Sequence, residues 1–217
     1  MLFMLMMVIG IAGGSGAGKT TLTRNIKKIF GKDVSVISQD NYYKDVSYLT
    51  LEERSQLNFD HPEAFDNDLL IRDIKHLKNN QIVCAPIYDF TTNNRSQTET
   101  ETIYPSKVII VEGILVFENQ TLRDLMDIRV FLDTDADERI LRRFIRDIKE
   151  RGSNVDRIIN RYLSIGKRMH HQYIEPTREY ADIVIPGNYR RDVVVNILCQ
   201  NIKSYIEQRE EHIDIAK

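Results

Sequence analysis

Close to its N-terminus the sequence reads Gly13-Gly14-Ser15-Gly16-Ala17-Gly18-Lys19-Thr20, which fits G-x-x-x-x-G-K-[ST] at every fixed position. An apolar run precedes the loop at residues 7–12, and an amphipathic segment follows it to residue 30. Backbone N–H groups of such a loop, together with the helix N-terminus, bind phosphate groups. We therefore expect residues 13–21, including Thr21, to bind ATP or GTP, with Lys19 at the β- and γ-phosphates and Thr20 at Mg²⁺.

Composition and charge describe an ordinary globular protein. The 217 residues are 42% hydrophobic and 29% charged, and the net charge is −2, which does not suggest a nucleic-acid binder. Cys84 and Cys199 are far apart, so neither a disulfide framework nor a zinc site is expected. The N-terminal apolar run is too short to span a membrane. We expect a cytoplasmic protein with no membrane partner, in which the residues before Met7 are an extension.

Short apolar runs alternate with amphipathic segments, which predicts an α/β fold with a mostly parallel central sheet flanked by helices. The predicted core strands are residues 7–12, 34–38, 108–111, 128–132 and 183–185. The predicted helices are residues 19–30, 51–57, 68–78, 136–149, 155–173 and 193–208. With no linker or repeat, we expect one domain over residues 1–217. It includes a β-hairpin excursion at about 81–104, with a loop at 91–96, and a helical lid at about 136–160.

Two carboxylates follow predicted central strands. Asp40 comes just after residues 34–38, and Glu112 directly follows residues 108–111. In an open α/β sheet, ligands bind outside the carboxyl ends of the strands. Phosphoryl transfer needs a metal ion and a group that orients the attacking hydroxyl. We therefore predict Asp40 as the base and Glu112 as a group on the metal side, although Asp40 could instead cap a turn. An N/T-K-x-D segment, which would indicate guanine specificity, is absent.

Six further segments strengthen the interpretation of the phosphate loop. They are SQDNYY (38–43), NFDHPEAFD (58–66), PIYDF (86–90), VEGIL (111–115), RRFIRD (142–147) and YADIVIP (180–186). In this order and spacing, the chain resembles the uridine kinase (uridine–cytidine kinase) branch of the phosphoribulokinase/uridine kinase family of P-loop kinases. The resemblance covers residues 7 to about 203. It implies transfer of the ATP γ-phosphate to the 5′-hydroxyl of a pyrimidine ribonucleoside, with Mg²⁺, by a homotetramer.

The resemblance also implies roles for individual residues. Asp40 is the base and, with Thr20 and Glu112, forms the Mg²⁺ environment. Arg143, Arg146 and Arg151 of the lid approach the transferring phosphate. Asp60 contacts the ribose hydroxyls. The remaining positions that would shape the nucleoside pocket are Tyr43, Phe59, Tyr88, Phe90, Asn93, Arg143 and Arg161.

Three of the nucleoside positions depart from the family pattern. Asn93 replaces a histidine, Ser153 an arginine and Arg161 a glutamine. The Asn93 amide has both a donor and an acceptor, so we expect both uracil and cytosine to be accepted. We interpret Arg161 as supplying the charge that Ser153 lacks. Two alternatives stay open: a kinase for another small hydroxylated substrate, such as a sugar phosphate, or a nucleotide-binding regulator without turnover.

Overall fold

The computed structural model describes residues 6–187 and 191–215. Within them seven strands form two sheets: β1 (Met7–Gly13), β2 (Val34–Ser38), β3 (Val83–Asp89), β4 (Asn94–Ile103), β5 (Val108–Gly113), β6 (Ile128–Asp133) and β7 (Ile183–Pro186). The central sheet has the order β2-β5-β1-β6-β7, and every pair in it is parallel. Strands β3 and β4 form a separate antiparallel hairpin. The predicted α/β fold with a mostly parallel central sheet is confirmed.

The helices flank this sheet on both faces. They are α1 (Lys19–Phe30), α2 (Leu51–Gln56), α3 (Asn67–Lys78), α4 (Gln120–Arg123), α5 (Ala136–Arg151), α6 (Val155–Arg161), α7 (Lys167–Met169) and α8 (Arg191–Ile215). Two π-helical turns occur in this region: Tyr162–Gly166 lies between α6 and α7, and His170–Ile174 follows α7. The sequence predicted one regular helix over residues 155–173. Within the described ranges, none of the helices is long and apolar enough to cross a membrane.

Strand β5 explains why the sheet lies at the centre of the molecule. Ile109 and Val111 pack into one hydrophobic layer, with residues of α3 and the hairpin. Val108 and Ile110 point the other way, into a layer that contains residues of α1 and α8. All four side chains are fully buried. A strand covered on both faces needs a continuous aliphatic sequence rather than an alternating one, as residues 108–111 have.

The hairpin turn is tighter than the sequence predicted. The predicted loop 91–96 is wrong in its second half, because β4 already begins at Asn94. Asn93 turns the chain with a positive φ of 51°. Asn94 is buried, and its side-chain Oδ1 accepts a hydrogen bond from the Val46 N–H at 2.9 Å. This buried hydrogen bond fixes the turn end of the hairpin beside the segment that follows β2.

Candidate active site

The phosphate loop joins β1 to α1 and is shaped by its glycines. Gly16 has a φ of +82°, and a Cβ placed on it would lie 2.3 Å from the backbone carbonyl oxygen of Arg139. Only glycine combines that backbone conformation with so close an approach. Gly18, with a φ of +97°, is the N-cap residue of α1. The loop therefore ends at a helix N-terminus, where phosphate groups are favoured.

Lys19 is held tightly against the loop that it follows. Its buried Nζ donates hydrogen bonds to the carbonyl oxygens of Gly13, at 2.8 Å, and Gly14, at 3.2 Å. Burial lowers the pKa of Lys19, and the carboxylates of Glu112 and Asp40 act in the opposite direction. The amino group thus lies between the loop and two acids, where it can contact the phosphates of a bound nucleotide.

Glu112 accepts hydrogen bonds from two hydroxyl groups at the carboxyl end of the sheet. Its Oε1 accepts hydrogen bonds from Thr20 Oγ1, at 3.1 Å, and Ser38 Oγ, at 3.2 Å. Ser38 and Glu112 are register partners on β2 and β5. Burial raises the pKa of Glu112, and the neighbouring Lys19 opposes that shift. Ser38 is absent from the predicted site residues; the sheet pairing that brings it here is not visible in the sequence.

Hydroxyl and carboxylate oxygens are the ligands that Mg²⁺ accepts, so Thr20, Asp40 and Glu112 fit this ion. No cluster of three or more His, Cys, Asp or Glu residues capable of holding a metal occurs in the part of the chain that the structure describes.

Asp40 lies where two clefts meet. It follows β2 in a 3₁₀ turn, Gln39–Tyr42, which is fixed by the buried Gln39: its Oε1 accepts a hydrogen bond from Leu115 N–H at 2.9 Å. One cleft holds the phosphate loop with Lys19 and Glu112. The other is an aromatic pocket, and Asp40 lines both. The Asp40 carboxylate therefore lies beside both the phosphate cleft and the aromatic pocket.

Aromatic rings form one wall of this pocket. The ring centroid of Tyr43 lies 5.3 Å from that of Phe59 and 4.8 Å from that of Tyr88. The ring centroids of Tyr88 and Phe90 are 5.0 Å apart. Burial raises the pKa values of Tyr43 and Tyr88, so both hydroxyls keep their protons. Such a wall presents flat apolar faces with few polar groups, which suits a planar heterocycle.

Asp60 and Arg143 form the polar part of the same pocket. Arg143 Nη2 lies 3.8 Å from Asp60 Oδ2, and that oxygen is buried without a hydrogen-bond partner among the described residues. Burial lowers the pKa of Arg143, but the carboxylates of Asp60 and Asp147 outweigh it and raise the pKa overall. An acceptor oxygen without a donor is a suitable contact for a ligand hydroxyl.

The three predicted arginines of α5 converge on one buried acid. Asp147 lies 3.5 Å from Arg143 Nε, 2.8 Å from Arg146 Nη2 and 3.4 Å from Arg151 Nη1. Arg146 Nη2 is also 3.4 Å from Ser15 Oγ in the phosphate loop, and the Arg151 guanidinium lies 3.5 Å from the Phe90 ring centroid. Asp147 is absent from the predicted site residues, although its four-residue spacing from Arg143 and Arg151 could have indicated it.

The positions that depart from the family pattern border the aromatic pocket. Asn93, Ser153 and Arg161 all line it. Arg161 donates from Nη2 to the Leu57 carbonyl oxygen at 3.0 Å, and its guanidinium lies 5.2 Å from the Phe59 ring centroid. Burial lowers the pKa of Arg161, and Asp60 opposes that shift. The structure thus brings the three substitutions to one cavity.

Thr21 does not line the aromatic pocket. With the loop residues Ala17 and Gly18, it lines a smaller apolar cleft bounded by Leu132 and Pro186. Thr21 also borders the phosphate cleft. Of the predicted ATP-binding residues, Gly13 and Gly14 line neither cleft; the others line the phosphate cleft or the smaller one.

Arg139 supports the phosphate loop from beneath. Its side chain packs under Gly14 and its backbone under Gly16. Its Nε donates to the Thr134 carbonyl oxygen at 2.9 Å, and its Nη2 lies 3.0 Å from His170 Nε2. Burial, with the charge of Arg139, lowers the pKa of His170 to about 4. Arg139 is absent from the predicted site residues, although its helical spacing from Arg143 and Arg146 indicates the same face.

Comparisons with known proteins agree with this geometry. Residues 8–194 match the Phosphoribulokinase / Uridine kinase family. The uridine kinase of Chlamydia pneumoniae is 71% identical over 211 residues, which cover 97% of this chain and 95% of that protein. That of Staphylococcus haemolyticus is 52% identical over 203 residues, covering 93% and 98%. D-glycerate 3-kinase from Cryptococcus neoformans shares the fold, with a TM-score of 0.61, 17% identity and coverage of 86% and 88%. The predicted resemblance is confirmed, and the chain belongs to the phosphoribulokinase/uridine kinase family.

Proposed function

We propose that this chain is an ATP-dependent kinase that phosphorylates the 5′-hydroxyl of uridine or cytidine, giving UMP or CMP and ADP. The observation that carries the proposal is the position of Asp40, which borders both the phosphate cleft and the aromatic pocket. A nucleoside in the pocket would present its 5′-hydroxyl to this carboxylate. Relatives named uridine kinase at 71% and 52% identity over nearly the whole chain support the same activity.

In the proposed reaction, the 5′-hydroxyl oxygen of the nucleoside bonds to the γ-phosphorus of ATP, and Asp40 accepts the proton of that hydroxyl. The bond between that phosphorus and the β,γ-bridging oxygen breaks, and ADP leaves. Lys19 and the loop N–H groups hold the phosphates, and Arg146 and Arg151 offset charge on the transferring group. Mg²⁺, held by Thr20, Asp40 and Glu112, would supply further positive charge at the phosphate oxygens.

Acceptor recognition would divide between two parts of the pocket. Asp60 would accept hydrogen bonds from the ribose hydroxyls, supported by its unpaired buried Oδ2 and the adjacent Arg143. Tyr43, Phe59 and Tyr88 would contact the base through their rings. A deoxyribose would leave a buried carboxylate without its partner, which is the stronger form of discrimination.

The remaining proposals concern organisation. We propose one domain over residues 1–217, in which residues of about 136–160 act as a lid and the hairpin of about 81–104 covers the nucleoside. The contact of Arg151 in α5 with Phe90 in the hairpin turn supports a joint closure of these two segments. We also propose a cytoplasmic homo-oligomer.

ADP release in the presence of Mg-ATP tests the proposal against its alternatives. The acceptors are uridine, cytidine, their 2′-deoxy forms, adenosine, ribulose 5-phosphate and none. Turnover with uridine or cytidine and little with the others supports the proposal. Turnover with ribulose 5-phosphate alone would favour a sugar-phosphate kinase, and silence throughout would favour a regulator. The aromatic wall of the pocket argues against a sugar phosphate, since that ligand has no base to stack.

A further inference from the structure

Asp147 is the one buried residue of helix α5. On the same helix, Leu141 and Ile145 are 64% and 54% exposed. A helix that is held by hydrophobic packing shows the opposite arrangement, with its apolar residues inward and its charged residues outward. Acidic side chains are almost never buried unless a partner offsets their charge. The position of Asp147 therefore depends on the charges that surround it.

Three arginines of the same helix supply those charges. Arg143 and Arg151 stand four residues before and after Asp147, so the three side chains lie in one row, with ion-pair distances of 3.5 and 3.4 Å. Arg146 presents one edge of its guanidinium, because its Nε and Nη2 donate to Asp147 Oδ1 at 3.0 and 2.8 Å. A guanidinium has five N–H donors. Asp147 thus holds Arg146 while leaving donors for other groups.

Without a carboxylate at this point, the arginines would repel one another. Burial lowers the pKa of Arg151, the charge of Arg146 lowers it further, and the Asp147 carboxylate opposes both shifts. Repulsion between like charges is strong where water is excluded. Separation of the two guanidinium groups would break the contact of Arg146 with Ser15 Oγ and that of Arg151 with the Phe90 ring. Asp147 therefore determines where both groups lie.

Asp147 lines the aromatic pocket but not the phosphate cleft, whereas Arg146 and Arg151 line both. We propose that Asp147 is a positioning residue for phosphoryl transfer, which holds these two guanidinium groups at the transferring phosphate. This role rests on the proposed function in that the phosphate is transferred beside the loop. Because the arginines offset charge that develops on the transferring group, loss of Asp147 should affect the transition state more than the binding of ATP.

Steady-state kinetics with uridine test this role. Asp147→Asn removes the charge with little change of shape, so kcat should fall about 10- to 100-fold while the KM for ATP changes by no more than about threefold. Asp147→Glu keeps the charge and should retain a kcat at least about threefold above that of the Asn variant. The matched control is Asp137→Asn, which neutralises an exposed acid of the same helix and should behave like the wild type. An unchanged or raised kcat in Asp147→Asn overturns the proposal.

A double-mutant cycle separates positioning from a contribution to folding. If Asp147 acts through Arg146, the loss of kcat caused by Asp147→Asn should be at least about threefold smaller in the Arg146→Ala protein than in the wild type. Circular dichroism establishes that each variant is folded. If Asp147→Asn does not fold, the cycle is measured with Asp147→Glu, whose loss should also shrink in the Arg146→Ala protein. Equal losses in both backgrounds are incompatible with the proposed role.

Binding of ADP with aluminium fluoride, a mimic of a transferring phosphoryl group, tests the same role without an acceptor. With Mg²⁺ present, aluminium fluoride should tighten the binding of ADP to the wild type at least about tenfold, and Asp147→Asn should lose most of that gain. Binding of ADP alone should agree within about threefold in the two proteins, as measured by calorimetry. Loss of the gain in a chain that does not phosphorylate uridine would reject the proposed function but support the role of Asp147. An equal gain in both proteins, or none in the wild type, would overturn that role whatever the acceptor is.

Discussion

Asp60 and Arg143 face each other at 3.8 Å, and the carboxylate oxygen nearest the guanidinium has no hydrogen-bond partner among the described residues. Arg143 is also within 3.5 Å of Asp147, so its charge is shared between two acids. A buried carboxylate oxygen without a donor is costly unless a ligand supplies one. This pair therefore marks the part of the pocket where we propose that a hydroxyl of the acceptor binds.

Asp60→Asn should lower kcat/KM for uridine about 10- to 100-fold, the range expected for one hydrogen bond to a charged group. The KM for ATP should change little, because Asp60 does not line the phosphate cleft. Parallel assays with 2′-deoxyuridine are the control: the preference for the ribonucleoside should narrow in the variant. An unchanged ratio of the two substrates would contradict the contact between Asp60 and the ribose.

Arg146→Ala should lower kcat about 100-fold while the KM for ATP changes only a few-fold, because an arginine at the transferring phosphate acts mainly in the transition state. Arg146 lines both clefts and reaches Ser15 in the loop. The matched control is Arg168→Ala, which removes an exposed arginine from α7. Steady-state kinetics decide the outcome, and equal values of kcat in both variants would refute the role of Arg146.

Arg161→Gln should raise the KM for uridine and cytidine about tenfold, since the variant loses a charged donor and its contact with the Phe59 ring. The KM for ATP serves as the internal control. An unchanged nucleoside KM would exclude Arg161 from acceptor binding.

In the wild type, the Asn93 amide can donate or accept, so kcat/KM for uridine and cytidine should agree within about 100-fold. A larger preference would reject the role given to Asn93.

His170 predicts how stability depends on pH. Its pKa falls from 6.5 to about 4 in the folded protein, so below pH 6.5 the unfolded chain binds the proton more readily. Neutral, buried His170 therefore makes its full contribution to the stability of the folded protein above pH 6.5. This contribution is lost as the pH falls towards 4. At pH 5 the loss amounts to about 2 kcal/mol. Urea unfolding of the wild type at pH 7 and pH 5 measures this loss in the free energy of unfolding. In the His170→Asn variant, the free energy of unfolding should fall by about 2 kcal/mol less between the two pH values. Equal losses in both proteins would contradict the shifted pKa.

The phosphate cleft was predictable because its parts are local in sequence. The octapeptide from Gly13 to Thr20 carries the loop, the lysine and the metal-side hydroxyl in one motif, and the buried strand before Glu112 is a continuous aliphatic run. Their meeting follows from parallel pairing, which gathers carboxyl ends at one edge of the sheet. The loop motif and the aliphatic run therefore predict the parts of this cleft without any knowledge of contacts between distant segments.

Other features depend on contacts between distant segments and were not predictable in this way. Ser38 reaches Glu112 only through the register of β2 on β5. Arg139 supports the loop because Gly14 and Gly16 leave room for it. The π-helical turns after Arg161 shift backbone hydrogen bonds without changing the apolar pattern, so the sequence indicated one regular helix. Each depends on tertiary packing rather than on the local residue pattern.

The most direct test of the central claim is a single-turnover measurement with ATP labelled at the γ-phosphate and excess uridine. It compares the wild-type protein with Asp40→Asn, and the product is identified by chromatography. We predict that the label appears in uridine 5′-monophosphate with the wild type. The variant should transfer it at least about 1,000-fold more slowly while still binding ATP. Label in inorganic phosphate alone, or equal rates in the two proteins, would contradict the account.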